Sequence, residues 1–245
     1  MEKLEEITLG TLVAQNYQAA EVFRKYGIDY CCQGNRTLLQ AVEEAKLDPE
    51  VILSELIQLL KEEKKEGIDY QKWPIDLLAD FIQKKHHRYV EEKIPVINQY
   101  LDKIESVHGA AHPELKEINR LFKETSGELA MHMKKEELVL FPFIRKMVEA
   151  QSTSEMVVAS PVFGTIQNPI AMMQHEHSEE GERFRTIARL SNEYTPPEDA
   201  CGSYKVAYAL LKEFEEDLHL HIHLENNILF PGAIQMEAKV TEPIG

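Results

Sequence analysis

Residues 132–142 read His132-Met133-Lys134-Lys135-Glu136-Glu137-Leu138-Val139-Leu140-Phe141-Pro142, and residues 221–231 read His221-Ile222-His223-Leu224-Glu225-Asn226-Asn227-Ile228-Leu229-Phe230-Pro231. In both, a Glu follows a His by four places and Leu-Phe-Pro comes at the same distance. Residues four apart share one face of a helix. Each stretch therefore offers an imidazole and a carboxylate pointing the same way. Brought together in one bundle, the two stretches supply half of a paired-metal site.

The likeness extends outward. His132 has Glu128 four residues before it, and His221 has Asp217 in the same place. If pairs of helices are duplicated, the earlier helix of each pair should hold a matching group. His86-His87 and His175/His177 meet that requirement, with His87 and His177 set 90 residues apart (177 − 87) against 89 for the repeat (221 − 132).

Periodicity reads as all-α, with no convincing alternating strand pattern. Four long helices span about Trp73 to Glu237. Breaks fall at His108–Pro113, Gln151–Thr165 and Thr195–Pro197, which suggests a four-helix bundle. Pro95 should kink the first of these helices. Ahead of the bundle lies a small helical module, residues 1–66. It has one helix from about Leu12 to Tyr26 capped by Gly27, a turn Asp29-Tyr30-Cys31-Cys32-Gln33-Gly34-Asn35, a helix from Thr37, and another from Asp48-Pro49. Lys61–Gly67 reads as a solvated linker, and the bundle domain covers residues 74–237.

The stripes sort the ten histidines. His87 continues Val90, Ile94, Ile97, Leu101 and Ile104, with His86 beside the stripe. His177 continues Ile166, Ile170, Met173, Phe184 and Ile187, and His175 does not. His132 and Glu136 lie with Ile118, Phe122, Leu129, Val139 and Phe143. His221 and Glu225 lie with Ala207, Leu211, Phe214, Leu218 and Ile228. A rival pair, His219 and His223, shares a polar stripe with Lys212, Glu216 and Asn226 and could make a surface zinc pair. His108 and His112 fall in a turn and should be solvated.

One inward His is usually a hydrogen-bonded core residue. Four of them with two inward Glu, and no Lys or Arg on the same stripes, would be unstable without a cation. Six such donors exceed one zinc. They suit two metals, with two His each and both Glu bridging, and nitrogen-rich ligation without thiolate fits non-haem iron. The expected cofactor is two non-haem iron ions with an oxo or hydroxo bridge and open positions for dioxygen, nitric oxide or peroxide. Glu128 and Asp217, one turn before His132 and His221, are candidates to accept a ring N–H or shuttle protons.

The gross numbers agree. The chain has 245 residues, with 27 Lys+Arg against 42 Asp+Glu and a net charge of −15. That disfavours nucleic acid and anionic membranes. The acidic start lacks a secretion-signal layout, and three Cys make no disulfide framework. The expected location is the cytoplasm.

The order His, His-x-x-x-Glu, His, His-x-x-x-Glu over residues 74–237 resembles hemerythrin-like di-iron domains. It departs from oxygen-carrying hemerythrins in two places. Gly181 stands where those have a further His, and Glu225 follows His221 by four where those have an Asp at five. The site is thus more open, which puts reversible oxygen carriage in question. Nearly the whole chain resembles the ScdA/YtfE-type iron–sulfur cluster repair proteins, which join an N-terminal module bearing Asp-Tyr-Cys-Cys, here Asp29–Cys32, to such a domain. The resemblance implies His87, His132, Glu136, His177, His221 and Glu225 as ligands, and functional acids at Glu128 and Glu176. It implies repair of clusters damaged by nitric oxide or peroxide through giving up iron, with iron–sulfur proteins as recipients, and it is compatible with a homodimer. Cys31 and Cys32 are candidates for thiolate capture of iron, of a nitrosyl group or of a damaged cluster; the plain alternative is a turn without chemistry. Cys201 is assigned nothing. Rival readings are a di-iron nitric oxide reductase and a nitric oxide or oxygen sensor, so enzyme status stays open.

Overall fold

A computed structural model of the chain describes residues 4–61, 68–153 and 163–240. The small module begins with α1 (Leu9–Gln15) and α2 (Ala19–Lys25), followed by α3 (Leu38–Glu44) and α4 (Pro49–Lys61). One continuous helix from Leu12 to Tyr26 was the expectation, and the structure corrects it. Asn16 leaves helical geometry, and its side-chain Oδ1 accepts the Gln18 N–H at 3.0 Å. Asn competes for the backbone in this way and so ends helices. Gly27 caps α2 at φ +66°, with Ile28 N–H donating to Phe23 O at 2.8 Å. Thr37 and Gln40 form a reciprocal capping box at the start of α3. Of the expected linker, only Lys61 lies among the described residues.

Four long helices come next. α5 joins Ile75–Phe81, a π-helical stretch Ile82–His87 and Arg88–His108; α6 joins Glu114–Lys135, a π stretch Glu136–Leu140 and Phe141–Thr153. α7 is Gln167–Leu190, and α8 joins Gly202–Leu224, a π stretch Glu225–Leu229 and Phe230–Val240. They pack in a ring, α5 on α6 and α8, and α7 on α6 and α8. α5 continues through Pro95. Residues 154–162 of the expected break at Gln151–Thr165 lie outside the described residues.

Both repeated stretches open their π turn at the Glu. A π turn inserts one residue into the helical count and is common at functional sites. It moves the inward stripe on by one position. Val139, expected inside, is exposed, and Leu140 is buried in its place. Leu229 likewise replaces Ile228 as the fully buried residue.

The buried apolar residues form two clusters. One joins the N-terminal helices to bundle residues including Ile97, Phe122, Phe184 and Phe214. The other holds the opposite end around Ile82, Leu140, Phe141, Met173 and Phe230. The buried histidines and glutamates lie near the junction of these clusters. Among the described residues, no helix is long and apolar enough to cross a membrane.

Candidate metal centre

All six expected donors are buried: His87, Glu136 and Glu225 at 0%, His221 at 1%, His177 at 2% and His132 at 3% exposure. They form two overlapping groups, His87/Glu136/His221/Glu225 and His132/Glu136/His177/Glu225, each with ligand atoms within 4.8 Å of one another. The His pairs are therefore His87 with His221 and His132 with His177, and both carboxylates belong to both groups. Glu136 Oε2 lies 3.4 Å from the Nε2 of His87 and of His132. Glu225 lies 3.1 Å from His177 Nε2 and from His221 Nε2.

The donor set fits a pair of cations. Both Glu136 carboxylate oxygens, Glu225 Oε2 and His87 Nε2 are buried without a hydrogen-bond partner. Burial and mutual repulsion would raise both carboxyls, yet the surrounding imidazoles hold both below the usual carboxylate range. Burial would lower the His132 imidazole, but Glu136, Glu176 and Glu225 push it up to about 10. Two buried anions thus draw positive charge, as protons on imidazole or as metal ions.

The outward ring nitrogens are mostly tethered. His87 Nδ1 donates to Glu137 at 3.0 Å, His132 Nδ1 to Glu176 at 2.7 Å, and His177 Nδ1 to Asn226 at 2.9 Å. Such tethers fix a ligand's tautomer and aim. Glu137 and Asn226 are the residues directly after the two repeated Glu, so the duplication itself could have pointed to them. The repeated Phe has a matching use: Phe141 stacks on His87 and Phe230 on His177, with centroids 5.6 and 6.0 Å apart.

Glu176 is where the resemblance implied a functional acid. It also pairs with Lys135, and these bonds, His132 first, draw its carboxyl down to about 2. The acceptor role offered for Glu128 and Asp217 is corrected. Glu128 instead pairs with Arg183 at 2.8 Å, and Asp217 accepts from His86 Nδ1 at 3.0 Å. Glu176 of the neighbouring helix takes the His132 ring nitrogen, and His221 Nδ1 has no partner. Glu128 does line, with Glu176, Glu179 and Glu180, a cavity of about 180 Å3 that reaches His132 and His177.

The rival pair His219/His223 is also corrected. His223 is buried, and Tyr30 packs over both rings at 6.3 and 5.9 Å. The N-terminal module covers that polar stripe, and burial lowers both imidazoles to about 4. His108 and His112 are only half exposed and are partnered. His112 meets Asp199 at 3.1 Å, and His108 Nε2 sits 3.2 Å from Cys201 Sγ.

The cysteine turn docks on the centre. Asp29 Oδ1 accepts the N–H of Cys31 and Cys32 at 3.2 and 2.9 Å, an Asx-type turn. Cys32 Sγ donates to the carbonyl of His177 at 3.3 Å, and a Cβ on Gly181 would lie 3.3 Å from that sulfur. Asn226 and Asn227 donate to Cys31 O at 3.2 and 3.3 Å. Asp29, Cys31 and Cys32 make a third group of potential ligands. Cys31 is buried, and its contact with Cys32, then burial, push its thiol well above the usual range. It is a protonated thiol unless a metal displaces the proton.

Comparison with known proteins agrees with this geometry. Residues 5–60 match ScdA_N, described as a domain of unknown function, and residues 79–233 match the hemerythrin HHE cation binding domain. The chain is 33% identical over 230 residues to the iron–sulfur cluster repair protein YtfE of Yersinia pseudotuberculosis, covering 94% of this chain and 97% of the relative. It is 34% identical over 229 residues to the YtfE proteins of Escherichia coli and Shigella boydii, with the same coverage. Two duplicated donor stretches, a docked Cys-Cys turn and near full-length similarity lead to one assignment: the chain belongs to the hemerythrin HHE cation-binding family and, within it, to the family of YtfE iron–sulfur cluster repair proteins.

Proposed function

We propose that this protein repairs iron–sulfur clusters damaged by nitric oxide or oxidative stress by holding a bridged pair of non-haem iron ions and giving iron up to recipient iron–sulfur proteins in the cytoplasm. The observation that supports this best is the sharing of two buried carboxylates between two His pairs. In this reading residues 1–66 form a docking and thiol-bearing unit, and residues 74–237 form the iron-holding unit.

His87 and His221 would hold one iron and His132 and His177 the other, with Glu136 and Glu225 available to both. Bound iron supplies open coordination positions for small oxidants and nitric oxide. Glu137, Glu176 and Asn226 keep three imidazole lone pairs turned inward. A cavity lined by Glu128, Glu176, Glu180 and Lys135 reaches His132 and His177 and is the approach to that side of the centre. Cys31 and Cys32, seated over the His177 backbone with Asp29, are placed to receive iron or a nitrosyl group as cargo changes hands.

Anaerobic mixing of iron-loaded protein with an apo-ferredoxin is the test. Growth of cluster absorbance with matching loss of iron from the donor is expected. Repeated nitrous oxide formation from nitric oxide, with no iron transferred, would replace this reading with a nitric oxide reductase.

A further inference from the structure

His86 immediately precedes the ligand position His87, and Glu176 immediately precedes the ligand position His177. The two thus occupy corresponding places in the duplicated halves. Glu176 reaches across to α6 and accepts the Nδ1–H of His132 at 2.7 Å. His86 reaches across to α8, where its ring stacks on His221 with centroids 5.5 Å apart and planes 14° apart. Among the four ligand imidazoles only His221 has an outward nitrogen, Nδ1, that is buried without a partner. His86 is itself 0% exposed, gives its Nδ1–H to Asp217 at 3.0 Å, and has a buried Nε2 with no partner.

One ring thus presents an unused acceptor and its neighbour an unused donor, with Phe81 closing the far side of His86 at 5.6 Å. A buried polar atom left unpaired is destabilising, so the two atoms gain by meeting. We propose that His86 is the positioning residue of the His87/His221 subsite: with Asp217 holding its Nδ1–H, its Nε2 accepts the Nδ1–H of His221 when that ligand is engaged by metal. The chain then runs carboxylate, imidazole, imidazole, metal, where the other half runs carboxylate, imidazole, metal. The proposal rests on the two-metal reading of the site.

Cobalt(II) titration of the metal-free full-length protein tests it, read by visible absorption and by hyperfine-shifted exchangeable protons in NMR. His86→Phe keeps the stack and removes the acceptor, while His86→Glu installs the acid found in the other half. Wild type is expected to take up two cobalt ions. His86→Phe is expected to bind one of them about tenfold or more weakly and to lose one shifted N–H signal to solvent exchange. His86→Glu is expected to restore both, and Asp217→Asn to weaken the same ion. If His86→Phe does not fold, His86→Leu, which also lacks an acceptor, and Asp217→Asn carry the comparison. Two unchanged affinities with unchanged signals in the acceptor-free variant would overturn the proposal. So would equal weakening in the Phe and Glu variants, which marks packing alone. A wild-type protein that takes up no cobalt would instead remove the two-metal reading beneath it.

Discussion

The stretch His132–Pro142 and the stretch His221–Pro231 share a backbone path, a π turn at the Glu and a Phe stacked on a ligand imidazole, yet they meet different surroundings. After Glu136 come Glu137, which tethers His87, and Leu138, which is 73% exposed. After Glu225 come Asn226, which tethers His177, and Asn227, which holds the cysteine turn. The same inner face serves the centre in both. The outer face is left bare in one copy and in the other becomes a seat for a second module. Added Cβ atoms on Gly10 or Gly34 would come within 2.4 Å of Asn227, so the module closes tightly around that one side chain. A duplicated scaffold thus acquires direction through two or three residues beyond the shared chemistry.

The largest effect should come from the residues the copies share. Glu136→Ala or Glu225→Ala is expected to empty both subsites, because each carboxylate belongs to both donor groups. Metal analysis of the purified variant checks this, and loss of a single ion would break the equivalence. Next comes the residue that separates the copies. Asn227→Leu imports the first copy's side chain at that place, strands the Tyr30 carbonyl and removes one of the two donors to the Cys31 carbonyl, at a cost of about 1–3 kcal/mol. Faster reaction of Cys31 and Cys32 with a thiol reagent is the expected readout, and the reciprocal Leu138→Asn should change stability by under about 0.5 kcal/mol. A smaller effect is expected at the tethers. Glu137→Gln should loosen one metal about tenfold while the His132/His177 subsite holds, as judged by biphasic release to a chelator.

A pH-dependent signature also separates the copies at one position. Glu215, six residues before His221, lines the cleft between module and bundle, and burial raises its carboxyl from 4.5 to about 7. Its counterpart before His132 is Ser126. A raised carboxyl favours the protonated folded state. Its contribution is fully present below about pH 4.5 and is lost as pH rises through about 7. Glu215→Gln should therefore match wild type in Tm at pH 5 and exceed it at pH 8. Equal Tm differences at the two values would remove the assignment.

The bundle and its six inward donors were legible because i, i+4 spacing and inward stripes are local properties of a helix. Contact between distant segments was beyond the pattern's reach. The stripe of Lys212, Glu216, His219 and His223 reads as solvent-facing, and only the docked module, through Tyr30, makes its lower half interior. The acceptors of the ligand ring N–H groups come from neighbouring helices, while Glu128 pairs with Arg183 and Asp217 with His86, partners that spacing along one helix does not reveal. The π turns were hidden as well, since one inserted residue leaves the spacing before it intact and shifts only the positions C-terminal to it, as Val139 and Leu140 record. Asn16 carried a readable warning of the break between α1 and α2, because short polar side chains compete for the backbone.

Gly181 settles a question of tenancy. Its bare α-carbon leaves room for the Cys32 sulfur, one turn along α7 from the donor His177. A side chain grown at that spot would begin 3.3 Å from the thiol and crowd it. The space beside that α-carbon is thus already let to the thiol, and the seat of the cysteine turn depends on there being no side chain at position 181.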